Sequence, residues 1–201
     1  MPILHNMKPS GNCYKVRLIA HQLGIPLTLE EYEFNSGRTR QPSFLAKNPN
    51  GRVPLLEFDD GKAMAESNAI IWYLTEGTKF QPETKWDRGI ALQWMFFEQY
   101  SHEPYVAVLR RLLAHGPKEE TEARRNELPK LAERGNAALR VMETHLAKND
   151  WFAGGRYSVA DVALYAYTHC AEEGGAFRLS NYPAIQKWMK RLEAQPKFIP
   201  M

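Results

Sequence analysis

The residues best suited to chemistry in this sequence lie where a loop runs into the first predicted helix. This segment, KPSGNCYKVR at residues 8–17, contains Ser10, Asn12 and Cys13. The start of a helix presents unpaired backbone N–H groups and the positive end of the helix dipole, so it stabilises an anion such as a thiolate. Ser10 could donate its hydroxyl hydrogen to that anion. In the plainer interpretation, which the segment alone favours, Ser10 or Asn12 only caps the helix.

A second segment could present backbone to a peptide. It is NPNGRVP, residues 48–54, and it places a proline at the head of a predicted strand, which is acceptable at a sheet edge. If the Val53–Pro54 peptide bond were cis, the backbone of Val53 would turn outward and could pair with an extended peptide. Most X–Pro bonds are trans, so the segment alone favours trans.

A third segment could hold a charged amino-acid group. It is AESNAI, residues 65–70, in which Ser67 has the position of a helix N-cap and Glu66 precedes it. A hydroxyl at a helix N-terminus can bind a carboxylate, and an adjacent glutamate can pair with an ammonium group. A γ-glutamyl group carries both charges and would suit this pair. In isolation, a simple cap beside a solvated acid is the favoured interpretation.

Composition and charge exclude several classes of protein. The 201 residues have a formal net charge of +3, which gives no electrostatic case for binding nucleic acid or an acidic membrane surface. The 2 cysteines, Cys13 and Cys170, are too few for a secreted disulfide framework. None of the 6 histidines has another four residues away, so we expect no helical zinc site.

The chain also lacks signals that would take it out of the cytoplasm. Its start has no secretion signal, and no apolar run approaches the roughly 18 residues of a membrane span. These features predict a soluble, cytoplasmic protein with reduced thiols and no membrane partner.

The pattern of elements predicts an α/β half followed by an all-α half. Up to about residue 76, short alternating runs typical of strands interleave with helical spacing, and an Asp-Gly turn predicts an antiparallel hairpin. The predicted strands are 27–34, 53–58 and 62–65, and the predicted helices are 12–23 and 67–74. After a linker at 76–82 only helical patterns remain, at 86–115 (bent near Pro104), 119–146, 158–173 and 184–194. We therefore predict two domains, 1–77 and 86–201.

In this order, the three segments resemble those of the cytosolic glutathione transferases of the serine type. A fourth segment, SVAD at 158–161, resembles that family's capping box in the helical domain, a folding device and not a catalytic one. The resemblance covers essentially the whole chain. It implies a thioredoxin-like N-terminal domain followed by an all-helical C-terminal domain, glutathione as co-substrate, no metal, and a homodimer.

The resemblance also implies roles for particular residues of the first two segments. Ser10 matches the serine whose hydroxyl donates to the glutathione sulfur, and Asn12 lies beside it in the glutathione site. Val53 matches the residue whose backbone pairs with the cysteinyl part of glutathione, and it precedes a cis Pro54.

The remaining glutathione contacts follow in the same way. Glu66 and Ser67 match the residues that hold the γ-glutamyl group. Arg40 and Arg52 lie near the positions where serine-type relatives place side chains around the glycyl end. Some relatives have a histidine where this chain has Thr39, so the contacts to the glycyl carboxylate differ here.

The second substrate, a small hydrophobic electrophile, would be held by the helical domain. Four residues of the first long helix have the spacing to face one cleft, namely His102, Tyr105, Val106 and Leu109.

The resemblance leaves three functions open. The first is conjugation of glutathione to small electrophiles, and the second is a glutathione-dependent peroxidase or disulfide reductase using the same site. The third is a non-catalytic scaffold for ligand carriage or protein interaction. The full set of segments favours an enzyme, because a pure scaffold has no need of it. Ser10 takes the place of the attacking cysteine in a C-x-x-C motif, so we expect Cys13 to be an inert, packed thiol.

Overall fold

Residues 1–201 are described by the computed structural model and form two units. One unit contains Met1–Thr78 and Pro196–Met201, and the other contains Lys79–Gln195. The boundary falls inside the predicted linker. The end of the chain differs from the predicted division, since residues 196–201 join the first unit: the hydroxyl of Tyr14 donates to the carbonyl of Ile199 at 2.7 Å.

A mixed sheet of four strands organises the first unit. Its strands are β1 (Ile3–Asn6), β2 (Thr28–Glu31), β3 (Leu55–Glu57) and β4 (Ala63–Ala65), and the last three are shorter than predicted. Their order is β2-β1-β3-β4, with β1 parallel to β2 and antiparallel to β3. β3 and β4 pair antiparallel, which confirms the predicted hairpin. Leu4 on β1 lies opposite Leu56 on β3, and both are fully buried.

Three helices accompany this sheet: α1 (Gly11–Leu23), α2 (Pro42–Leu45) and α3 (Ser67–Leu74). α1 buries Val16 and Ile19, which share one face because they are three residues apart. Gly24 ends the helix in the left-handed conformation at φ 72°, which glycine adopts without steric penalty. α1 packs against α3. The N-termini of both helices, which carry Ser10 and Ser67, therefore belong to the same unit.

The second unit is entirely helical. Its first long element begins as α4 (Lys85–Phe97), passes through a π-helical segment (Glu98–His102), continues as α5 (Glu103–Arg110) and ends in a second π-helical segment (Arg111–His115). Pro104 lies in the first turn of α5, where its missing N–H is tolerated. The predicted helix 86–115 is therefore helical throughout, with two wide turns inside it.

The rest of the second unit corrects one prediction. Residues 119–146 do not form one helix but α6 (Lys118–Ala123), a 3₁₀ turn (Arg125–Glu127) and α7 (Leu128–Leu146). Pro129 explains the difference, because it lies in the first turn of α7 and could not lie inside a longer helix without loss of a hydrogen bond. The last helices are α8 (Val159–Thr168), shorter than predicted, and α9 (Pro183–Glu193).

The predicted capping box is present at the start of α8. The carboxylate of Asp161 accepts from the backbone N–H of Ser158 at 2.9 Å and from its hydroxyl at 3.0 Å. The same carboxylate accepts from the indole N–H of Trp188 at 2.9 Å, so it joins α8 to α9 in the core.

None of the helices combines the length and the apolar character needed to cross a membrane.

Candidate functional site

Ser10 lies at the N-terminus of α1, where the loop from β1 enters the helix. Its side-chain Oγ accepts a hydrogen bond from the backbone N–H of Cys13 at 3.3 Å, so the predicted capping role is confirmed. The backbone N–H of Ser10 donates to the carbonyl of Met7 at 3.0 Å, which fixes the loop. Ser10 remains half-buried, unlike its neighbour Gly11. The hydroxyl oxygen is thus held at the positive end of the helix, on a residue that is only partly buried.

Cys13, three residues further along, has the opposite character. It is fully buried, and its Sγ accepts a hydrogen bond from the backbone N–H of Met7 at 3.4 Å. Burial raises the pKa of Cys13 to about 11, although Ser10 and Arg17 act in the opposite sense. A thiol held in this state is a poor nucleophile, because the thiolate is the reactive form.

Asn12 connects the start of α1 to the start of α3. Its side-chain Oδ1 accepts from the hydroxyl of Ser67 at 3.1 Å and from the ammonium group of Lys15 at 2.9 Å. The prediction that Ser67 is the N-cap of α3 is wrong. Glu66 occupies the cap position at φ 68°, and Ser67 is the first residue of the helix. The hydroxyl of Ser67 is therefore turned toward α1 and not toward its own helix N-terminus.

The segment 48–54 has the backbone form that the resemblance implied. The Val53–Pro54 peptide bond is cis. Val53 is partly buried and packs against a cluster formed by Tyr32, Phe44 and Leu55. This packing leaves part of Val53 at the surface, just before β3 begins.

The two predicted arginines occupy different positions around that segment. Arg40 donates to the carbonyl of Asn50 at 3.1 Å, and its guanidinium lies directly against Gly51. Arg52 is exposed, and its carbonyl accepts from the side-chain amide of Asn48 at 2.8 Å. Arg40 thus braces the loop that leads to Val53, whereas the side chain of Arg52 faces solvent.

The four residues predicted to hold the second substrate differ in exposure. Val106 and Leu109 are buried, and so is His102, whose Nε2 lies 3.0 Å from the hydroxyl of Thr168. Tyr105 is half-buried, and its hydroxyl accepts from Arg134 at 3.2 Å. Of the four, Tyr105 has the most accessible side chain, and the substrate roles stay predictions.

Two residues of these neighbourhoods were missed by the sequence analysis. Arg134, on α7, contacts Tyr105 across a sequence separation that no local pattern reveals. Lys15 is fully buried and contacts Ser67, whereas its sequence position alone marks it only as part of the first segment. A signal for Lys15 did exist, because it lies four residues before Ile19 on the buried face of α1.

No group of three or more His, Cys, Asp or Glu side chains is arranged to hold a metal ion.

Two family models match the chain. The model described as glutathione S-transferase, N-terminal domain, matches residues 9–76. The model described as glutathione S-transferase, C-terminal domain, matches residues 93–196. The first match contains Ser10, Val53 and Ser67, and the second contains Tyr105 and the capping box.

Several solved structures with the same fold come from bacteria. A glutathione S-transferase from Pseudomonas fluorescens is 47% identical with a TM-score of 0.93, over 99% of this chain and 98% of that one. A possible glutathione S-transferase from Rhodopseudomonas palustris is also 47% identical, with a TM-score of 0.94 over 100% and 89%. A glutathione transferase from Burkholderia graminis, solved with two glutathione molecules per subunit, is 26% identical, with a TM-score of 0.83 over 98% and 85%.

Curated relatives have more varied names. Glutathione S-transferase 3 from Zea mays is 27% identical over 97% of this chain and 90% of its own length. Disulfide-bond oxidoreductase YfcG from Escherichia coli is 26% identical over 94% and 88%. Protein URE2 from Candida maltosa is 27% identical over 97% and 70%.

Proposed function

Because the chain belongs to the glutathione S-transferase family, we propose that it binds glutathione as its thiolate and conjugates it to small hydrophobic electrophiles. The observation that carries this proposal is the position of Ser10, a partly buried residue whose hydroxyl oxygen caps the N-terminus of α1. In the reaction, the sulfur of glutathione forms a bond to the electrophilic carbon, the leaving group departs with its electron pair, and the thiol proton goes to solvent.

Activation of the sulfur requires only moderate stabilisation. A cysteine thiol titrates near 8.5, and lowering this pKa by about two units requires roughly 2.7 kcal/mol. A hydrogen bond to a charged group contributes about 1.5–3 kcal/mol, and the helix dipole adds about 0.3–1 kcal/mol. A hydrogen bond from Ser10 and the dipole of α1 would together supply an amount of this size.

Activation of the sulfur cannot account for the whole acceleration. At pH 7 the thiolate fraction of glutathione would rise about 25-fold. The nucleophilicity of a thiolate falls as its pKa falls, so the net gain in reaction rate is only a few-fold. The larger contribution must come from positioning the electrophile beside the sulfur. We assign that task to the helical unit, with Tyr105, Val106, Leu109 and His102 as the candidate residues.

The peptide part of glutathione would be held by the other segments. The backbone of Val53 pairs with the cysteinyl residue, and Glu66 and Ser67 hold the ammonium and carboxylate of the γ-glutamyl group. Arg52 approaches the glycyl carboxylate, and Arg40 contributes by holding the loop in place. Asn12 orients Ser67 through their 3.1 Å hydrogen bond.

We also propose a cytoplasmic homodimer. Phe96 and Tyr100 lie four residues apart on one helical face and are 70% and 84% exposed. Two large aromatic rings on adjacent turns form an apolar patch of the kind that a second copy of the chain would cover. A reducing compartment suits the two free, buried cysteines.

A panel of substrates tests the proposed reaction. The purified protein is assayed with glutathione and, in turn, an aryl halide, an organic hydroperoxide and a small disulfide. Conjugation of the aryl halide that is lost in Ser10→Ala supports the transferase. Thermal unfolding with and without glutathione tests binding separately, since a ligand of the native state raises the melting temperature. No shift at millimolar glutathione would contradict the proposal and favour a non-catalytic scaffold.

One alternative reaction has specific support. Disulfide-bond oxidoreductase YfcG is a relative, and a related structure contains two glutathione molecules per subunit. Because Cys13 is buried, a disulfide reductase would use two glutathione molecules, which form glutathione disulfide as the substrate disulfide becomes two thiols. In the panel, turnover of the disulfide or the hydroperoxide without conjugation of the aryl halide would select this alternative.

A further inference from the structure

Lys15 is a cation buried at the centre of the candidate site. Its exposure is 0%, which is rare for lysine. The ammonium group donates to Asn12 Oδ1 at 2.9 Å, to Asn68 Oδ1 at 3.2 Å and to Ser67 Oγ at 3.4 Å. The ammonium group of Lys15 therefore lies next to the hydroxyl that the proposed function assigns to the γ-glutamyl carboxylate.

The hydrogen-bond roles in this group allow Ser67 to change its partner. Ser67 has one hydroxyl hydrogen, which it donates to Asn12 Oδ1 at 3.1 Å. If a ligand carboxylate takes that hydrogen, Asn12 Oδ1 still accepts from Lys15 at 2.9 Å. Lys15 thus removes the penalty of leaving a buried amide oxygen unsatisfied when Ser67 turns to the ligand.

We propose that Lys15 is a positioning residue that selects ligands bearing the α-carboxylate of a γ-glutamyl group, by holding Asn12 and placing a positive charge behind Ser67. The inference rests on the proposed function, since it concerns the same site. Lys15 does not touch the ligand. It acts through Ser67, and its charge favours an anion at that hydroxyl because electrostatic interactions are strong where water is excluded.

The test combines a variant of the protein with a variant of the ligand. Calorimetry measures binding of glutathione and of 4-aminobutyryl-cysteinyl-glycine, which lacks only the γ-glutamyl α-carboxylate, to the wild type and to Lys15→Met. In the wild type we expect the missing carboxylate to weaken binding roughly 10- to 100-fold, as for a charge-assisted hydrogen bond. In Lys15→Met we expect that ratio to fall to about threefold or less.

Two further variants keep the result interpretable. Lys15→Gln retains an N–H donor for Asn12 without the charge, so it should fold even where the methionine variant does not. We expect a ratio between those of the wild type and Lys15→Met, because only the charge is lost. Lys62→Met removes an equal charge from an 82% exposed lysine in the β3–β4 turn and should leave the wild-type ratio unchanged. Circular dichroism establishes folding before binding is measured.

The possible outcomes distinguish failure of the role of Lys15 from failure of the proposed function. If glutathione binds the wild type but both Lys15 variants keep the full preference for the carboxylate, the role of Lys15 is overturned while the proposed function stands. If the wild type binds neither peptide, the proposed function itself fails. If the wild type binds both peptides equally, the γ-glutamyl assignment of Ser67 fails, and the role of Lys15 fails with it.

Discussion

The backbone N–H of Cys13 donates a hydrogen bond to Ser10 Oγ at 3.3 Å. The oxygen is the acceptor here, so capping uses a lone pair of Ser10 and not its hydroxyl hydrogen. The same side chain can therefore cap α1 and donate to the sulfur of a ligand. The structural and the chemical interpretations of this serine are compatible.

We expect Ser10→Ala to lower kcat/KM for conjugation roughly 10- to 100-fold. The smaller thiolate population accounts for only a few-fold of this loss, and the rest comes from losing the hydrogen bond that positions the sulfur for attack. The same change should lower the free energy of unfolding by about 1 kcal/mol through loss of the cap. Steady-state kinetics with an aryl halide and urea unfolding measure the two effects.

Two controls separate chemistry from capping. Ser10→Gly removes the hydroxyl, but glycine is an acceptable cap, so stability should fall by only a few tenths of a kcal/mol while activity is lost. Thr84→Ala removes a comparable cap from α4, where Thr84 accepts from the backbone N–H of Asp87 at 3.0 Å, and should leave activity unchanged. Full activity in Ser10→Gly would contradict the assignment of Ser10.

The two cysteines should be unreactive in the native protein. Burial raises the pKa of Cys13 to about 11 and that of Cys170 to about 12. At pH 8 only about one part in a thousand of Cys13 would be thiolate, and access to it is blocked. We expect a thiol reagent to titrate neither cysteine in the native state and both in urea, and Cys13→Ala to retain conjugation. Rapid labelling of native Cys13 with parallel loss of activity would show that the thiol takes part in the reaction.

A glycine in the loop before Val53 should strengthen glutathione binding. Gly51 has φ 62°, and a Cβ there would lie 2.5 Å from the Arg40 guanidinium and 3.0 Å from the Thr39 carbonyl oxygen. Gly51→Ala should therefore raise KM for glutathione several-fold with little change in kcat. Gly61→Ala is the matched control, since Gly61 has φ 83° in the hairpin turn with nothing within 4 Å of a Cβ. Both changes should lower stability by about 1–2 kcal/mol, but only Gly51→Ala should alter KM.

The stability of the helical unit should depend on pH through Asp161. Desolvation by burial raises the pKa of Asp161 from 3.8 to about 6, more than its hydrogen bonds from Trp188, Phe152 and Ser158 lower it. As the pH rises, the unfolded chain loses its proton first. The contribution of Asp161 to the free energy of unfolding is thus fully present below about pH 4 and is lost by about pH 6.

Urea unfolding at a series of pH values, with Asp161→Asn as the reference, isolates this effect. The carboxyl groups of Glu57 and Glu120 have lowered pKa values and act in the opposite direction, so the wild-type curve alone does not isolate Asp161. The free energy of unfolding of the wild type minus that of Asp161→Asn should fall as the pH rises from 4 to 6. A difference that is constant across this range would refute the raised pKa.

The sequence was sufficient for features that depend on neighbouring residues. The span of α3, the cap at Ser10 and the capping box at Ser158 follow from local patterns, which is why they were predicted. Local patterns do not reveal where the hydroxyl of Ser67 points, because it donates to Asn12, 55 positions earlier in the chain. The break before α7 is a similar case, since a proline such as Pro129 permits either a broken helix or a new start, and packing decides between them.

The proposed homodimer should depend on the aromatic patch formed by Phe96 and Tyr100. Light scattering of the wild type should give twice the chain mass of 23.1 kDa. The double variant Phe96→Ser and Tyr100→Ser should give the mass of one chain at micromolar concentration, because it removes the apolar area that a second copy would bury. Leu29→Ser, which changes a 46% exposed residue on β2, should remain dimeric. A double variant that keeps the dimer mass would place the interface elsewhere on the surface.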